Sequence, residues 1–144
     1  MGDTRFVGHW NLLSYELEST DDRSVTLPLG KEPVGTLMYT DDGRMYGALM
    51  KKDRAAFSTN DFMKGTISER AGAMDSFVAY CGTYEIQDER VIHHVKISWY
   101  PNWTGKRQER FYQFDGNKMS LSTRPFRLDG KEQVARLVWE KSSS

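Results

Sequence analysis

The sequence is cut into short stretches of alternating apolar and polar residues bounded by turn signals, and that rhythm limits the fold. Val34 to Thr40 leads into Asp41-Asp42-Gly43, and Arg44 to Met50 resumes beyond it. An Asp-Gly step supplies the positive φ that a tight hairpin turn needs. Further strands are expected over Arg5 to Leu17, Phe77 to Gln87, Lys118 to Thr123 and Val134 to Glu140. Val91 to Phe114 reads as two more strands around a turn holding Pro101, Asn102 and Gly105. A short strand is expected in the Pro/Gly-punctuated loop from Asp21 to Pro33. About eight evenly spaced strands imply an all-β antiparallel fold, either a sandwich or an up-and-down barrel. A barrel is favoured, because eight strands close around just enough space for side chains or one small ligand.

One segment breaks the rhythm. Between Lys51 and Phe77 the alternation stops, and Thr66 and Glu69 have capping-box spacing. A short helix to about Ala73 follows, placed as a lid over one barrel end. With 144 residues the chain is one domain, expected over residues 1–141, with a disordered Ser142–Ser144 tail. The aromatic fraction of 12% supplies the bulk that a single inner face needs. Net charge is zero with dispersed basic residues, which argues against a nucleic-acid partner. A single cysteine, Cys81, excludes an internal disulfide. No apolar run suggests a leader or a bilayer-spanning helix, so no membrane partner is expected and a cytoplasmic location is the default.

Several motifs add a resemblance. Gly8-His9-Trp10 on the first strand is the Gly-x-Trp pattern of the lipocalin and calycin superfamily. Glu32-Pro33-Val34-Gly35-Thr36-Leu37-Met38-Tyr39-Thr40, Tyr80-Cys81-Gly82-Thr83-Tyr84, and His93-His94-Val95 followed by Pro101-Asn102-Trp103 and Gly105 sharpen the match. Together they resemble the lipocalin-like domain family of small microbial proteins over nearly the whole chain. The resemblance implies a β-barrel with a hydrophobic cavity, a small-molecule ligand and, in some members, a link to natural-product biosynthesis. It also implies that Arg136 on the last strand packs across Trp10.

Parity orients the candidate site residues. His93 shares its phase with Val91, Val95, Ile97 and Trp99, so it is expected to point inward and His94 outward. An inward histidine can act as a general acid or base, or be a core residue hydrogen-bonded to a tyrosine. Arg110 shares its phase with Gln108, Tyr112 and Phe114, against Glu109, Phe111 and Gln113 on the other, an alternation that leans toward an inward Arg110 without deciding it. Inside a barrel its guanidinium needs a partner, which a ligand carboxylate, carbonyl or enolate would supply; otherwise it snorkels to the rim or pairs with Glu85 or Asp75. His93, Arg110 and Tyr112 are the candidate catalytic set. Tyr39, Tyr46, Tyr80, Tyr84, Trp99, Trp103, Met38 and Met50 are the candidate ligand wall. No phosphate-cradling glycine motif is present, and the three histidines lack metal-ligand spacing, so neither a cofactor nor a metal is expected.

Two functions fit these residues, and the first is favoured. One is a cofactor-independent isomerase or cyclase acting on an apolar, oxygen-bearing metabolite, with His93 moving a proton and Arg110 stabilising an enolate. The other is a non-catalytic carrier of a hydrophobic ligand. A structural or interaction role is disfavoured, since nothing in the sequence suggests an exposed apolar surface. Whether the protein is a monomer or a homodimer stays open.

Overall fold

A computed structural model of the chain describes residues 4–143. Its strands are β1 (Gly8–Ser19), β2 (Val25–Thr26), β3 (Val34–Tyr39), β4 (Arg44–Met50), β5 (Phe77–Gln87), β6 (Arg90–Ser98), β7 (Arg107–Asp115), β8 (Lys118–Ser122), β9 (Phe126–Leu128) and β10 (Lys131–Lys141). Neighbours follow the order β1-β3-β4-β5-β6-β7-β8-β10, and β10 pairs back onto β1. The result is a closed eight-stranded antiparallel barrel, as expected. Beside the closed ring, β2 extends the C-terminal part of β1 and β9 the N-terminal part of β10. The sequence reading misses β9, whose three residues are all exposed and carry no alternation to detect.

Two bulges decide which side chains enter the barrel. In β1 the register slips between Leu12 and Ser14. Trp10 and Leu12 are buried before the slip, Leu17 and Ser19 after it, while Leu13 is 42% exposed. The phase shared by Trp10 and Leu12 therefore ends at the bulge. The second bulge adds Lys96 to β6, opposite the step from Cys81 to Gly82. Val91, His93 and Val95 stay buried, but Ile97, expected to follow them inward, is 69% exposed. At this bulge the strands approach so closely that a Cβ on Gly82 would stand 1.9 Å from the His94 carbonyl oxygen. Only glycine fits there.

An aromatic plug fills one end of the barrel. Phe6 packs against Tyr39, Tyr112 and Phe114 with ring centroids 4.9–5.3 Å apart. The Trp10 indole N–H donates to the Phe6 carbonyl at 2.9 Å. The expected packing of Arg136 across Trp10 is not what forms. Arg136 pairs with Glu16 in the β1–β10 ladder and is exposed, whereas Lys141 lies opposite Trp10 with its ammonium 5.2 Å from the ring centroid. The ladder sets this exchange: Arg136 lies five residues short of the Trp10 pairing. Beyond β10, the Ser142 backbone N–H donates to the His9 carbonyl at 2.8 Å. Ser144, the last residue of the expected tail, lies outside the described residues.

At the other end lies α1 (Ile67–Asp75), preceded by a 3-10 turn at Phe62–Lys64. The capping box forms as the spacing predicts, with the Thr66 hydroxyl accepting from the Glu69 N–H and the Glu69 carboxylate accepting from the Thr66 N–H. Arg54 ties the helix C-terminus to the barrel, donating to the Ala73 carbonyl and the Ser76 hydroxyl, each at 2.9 Å. Phe62, Met63 and Ile67 face solvent, so this segment does expose apolar surface that the sequence reading does not foresee.

Substitution of Gly82 by alanine is expected to force the β5–β6 ladder apart, costing about 3 kcal/mol and lowering Tm by roughly 6–12 °C. Gly72→Ala, in α1 with nothing within 4 Å of its added Cβ, is expected to stabilise by about 0.5–1 kcal/mol. Thermal melts of the two variants check both signs.

Candidate functional site

The half of the barrel away from the plug is hollow. The cavity measures about 800 Å³ and is walled mainly by apolar side chains. That volume lies toward the upper end of the usual range for small-molecule sites, roughly 300–1,000 Å³. Leu37, Met45 and Leu49 line it from β3 and β4, and Leu121, Leu137 and Trp139 from β8 and β10. Met74 and Asp75 of α1, Trp103 and the segment from Arg124 to Leu128 surround the mouth.

At its polar centre, the His93 imidazole is 2% exposed and bonded on both sides. Its Nε2 lies 2.7 Å from the Tyr39 hydroxyl and its Nδ1 2.6 Å from the Tyr80 hydroxyl. A neutral imidazole has one N–H and one lone pair, so it donates to one of these tyrosines and accepts from the other. Burial, reinforced by the Arg110 guanidinium and by the neighbouring His94, depresses its pKa from 6.5 to about 3. The ring is therefore neutral at physiological pH. Burial also raises the pKa of Tyr39, Tyr80 and Tyr15, with Arg110 opposing the rise in each.

Arg110 faces the same space. Its backbone stands directly opposite Val91, which is fully buried, and cross-strand partners share a face. The guanidinium donates to the Glu109 carbonyl at 2.9 Å and to the Gln108 side-chain oxygen at 3.3 Å. Among the described residues no carboxylate forms an ion pair with it. Glu85 is bonded instead to His94 on the outer face, at 2.6 Å, and Glu109 to Arg90 and Arg124. Two indole N–H groups on the wall, of Trp99 and Trp139, are buried without an acceptor. An unsatisfied buried donor costs about 1–3 kcal/mol, which an oxygen-bearing ligand would recover.

The structure divides the expected site residues. His93, Arg110, Tyr80, Trp99 and Trp103 line the cavity. Tyr39 stands one step behind, bonded to His93. Tyr112 shares the inward phase but packs into the plug, where its hydroxyl donates to the Asp88 carbonyl at 2.9 Å. Tyr84 is also in the core away from the cavity, donating to the Thr40 carbonyl. Met38 and Tyr46 are cross-strand partners on the outer face, 39% and 40% exposed. Met50 does not reach the cavity wall either. The methionines that do are Met45, one residue out of phase with Tyr46, and Met74 on α1. Gln108, Tyr15 and Trp139 also line the cavity without having been singled out from sequence. Gln108 could have been found by extending the Arg110 phase by one step. Tyr15 could not, because the β1 bulge reverses its side.

No group of three or more His, Cys, Asp or Glu side chains among the described residues is placed to hold a metal ion. Nor is any helix among them long and apolar enough to cross a membrane.

A closed eight-stranded barrel with one plugged end and one hollow half defines a protein of the lipocalin type. The chain belongs to the lipocalin-like domain family, whose sequence profile matches residues 7–142. It is also similar to the 4'-hydroxy-3'-methoxypropiophenone carrier protein ppsC of Aspergillus oryzae, with 36% identity over 106 residues. The match covers 67% of this chain and 96% of that protein.

The depressed histidine pKa has a consequence for stability. Between about pH 6.5 and 3 the unfolded chain carries a proton on residue 93 that the folded protein does not, so stability rises with pH through that window. The contribution is complete above 6.5 and lost on acidification. His93→Gln is expected to flatten the stability difference between pH 7 and pH 5, a range above the lowered pKa values of Glu69, Glu85 and Glu109. Urea denaturation at the two pH values measures it.

Proposed function

We propose that the protein binds an apolar, oxygen-bearing small molecule inside the barrel and holds it as a carrier. The observation that carries this reading is an apolar cavity of about 800 Å³ whose polar groups include an arginine that pairs with no carboxylate among the described residues. Apolar walls provide most of the binding energy, and Arg110, Tyr80 and the indole N–H groups orient the ligand through its oxygens. The similarity to a protein named as the carrier of an aryl ketone supports both the ligand class and the non-catalytic role.

A second reading is a cofactor-independent isomerase or cyclase, and the Tyr39–His93–Tyr80 chain favours it. Here Tyr80 would deliver a proton to a ligand oxygen while His93 passes one along from Tyr39. Arg110 would stabilise the enolate. The low proton affinity of His93 weighs against a mechanism that stores charge on the imidazole, roughly a thousandfold below that of a free histidine. A concerted relay escapes that objection, because no imidazolium forms.

Mutation separates the readings. For the carrier, His93→Ala and Arg110→Met are expected to weaken binding of an aryl ketone about tenfold or more. The ketone is expected to come back unchanged from wild-type protein. Binding can be followed by quenching of tryptophan fluorescence and the ligand recovered for chromatography. Conversion that falls by orders of magnitude in the variants, with affinity retained, would establish the enzyme instead.

A further inference from the structure

The hydrogen-bond chain through His93 has a direction. The Tyr39 hydroxyl is buried, its residue 1% exposed, and its hydrogen-bond partner is His93 Nε2. A buried hydroxyl gives its proton to an available acceptor, so Tyr39 donates and Nε2 carries the lone pair. The one N–H of the neutral ring is then on Nδ1 and donates to the Tyr80 oxygen. Tyr80 has thus accepted within the protein, and its own proton is left for the cavity that its side chain lines. Arg110 beside it adds further donors. Arg110 spends donors on Glu109 and Gln108 and keeps others of its five. On the wall, Arg110, Arg124 and Arg127 face two carboxylates, Asp75 and Glu109, in a chain of zero net charge. Glu109 is already held by Arg90 and Arg124.

A site of donors and positive charge suits an acceptor-only, negatively charged oxygen. We propose that the cavity takes its ligand in ionised form, as a phenolate or enolate conjugated to a carbonyl, with the oxyanion between Tyr80 and Arg110. This rests on the ligand-binding reading above and adds the protonation state to it. A conjugated oxyanion spreads its charge over a planar framework, so it loses less hydration in an apolar cavity than a carboxylate does. Tyr39 is then a positioning residue: it touches no ligand, and it fixes the imidazole tautomer that aims the Tyr80 proton. The groups under the Arg110 field are Tyr15, Tyr39, Tyr80 and His93. The tyrosines ionise above their ordinary range and His93 far below neutrality, so none of these four groups titrates between pH 6 and 9, and the ligand's own absorbance reports its ionisation there.

The test uses 4-hydroxyacetophenone, whose phenol and phenolate absorb at different wavelengths, with 4-methoxyacetophenone as the non-ionising control. Bound to the wild-type protein, the phenol is expected to reach half-ionisation at least about one pH unit below the free compound, a tenfold change in proton affinity. Arg110→Met abolishes that shift, Arg110→Lys keeps most of it, and Tyr39→Phe reduces it. Thermal melts establish that each variant is folded, and the wild-type shift stands as a test without them. The methyl ether is expected to bind independently of pH over the same range. A phenol that stays neutral when bound, while the ether and the apolar dye N-phenyl-1-naphthylamine do bind, overturns the ionised-ligand inference and leaves the carrier reading intact. If neither ketone nor the dye binds, both fall.

Discussion

Everything in the molecule depends on the seam between its first and last strands. β1 and β10 pair from Trp10 opposite Lys141 to Ser19 opposite Gln133, which turns a sheet with two free edges into a closed wall. An enclosed interior follows from that closure, and with it the low-dielectric setting in which one arginine can act on a histidine and three tyrosines. The bulge at Leu13 belongs to the same seam: it lets one long strand present Trp10 and Leu12 and then Leu17 and Ser19 to the interior.

Within the wall, polarity is segregated along the barrel axis. The plug satisfies its own polar atoms, with Trp10 donating to Phe6, Tyr112 to Asp88 and Tyr84 to Thr40. The hollow half leaves donors open: the indoles of Trp99 and Trp139 and part of the Arg110 guanidinium. A folded chain keeps such unfinished polar groups in few places, and here they gather around one space. Their common character as donors is what gives the cavity a chemical preference rather than mere volume.

Much of this was legible in the sequence because strands write their orientation in a two-residue period. The closed barrel, the Asp42-Gly43 hairpin, the capped helix and the inward His93 all follow from local patterns, whereas the mixed alternation around Arg110 does not fix its side and its pairing with buried Val91 does. What failed did so at irregularities or where choice was made by residue type. Ile97 turns outward because Lys96 is an extra residue in the ladder, and no pattern announces it. Tyr46 and Met38 looked like pocket lining because they are aromatic and pliable, yet their own alternation with Met45, Leu37 and Tyr39 puts them outside. Tyr112 has the right phase but the wrong height, and height along a tilted strand depends on barrel stagger, which a single sequence does not display. The replacement of Arg136 by Lys141 at Trp10 is likewise a matter of register.

The aromatic plug makes the barrel a flask, with a stoppered base. A ligand held in it would pass Trp103, the Arg124–Leu128 segment and the end of α1, which line the cavity. For the proposed ligand, residence time would then be set at the rim and selectivity at depth, where Tyr80 and Arg110 line the cavity. The two properties reside in different parts of the chain and can be tuned separately.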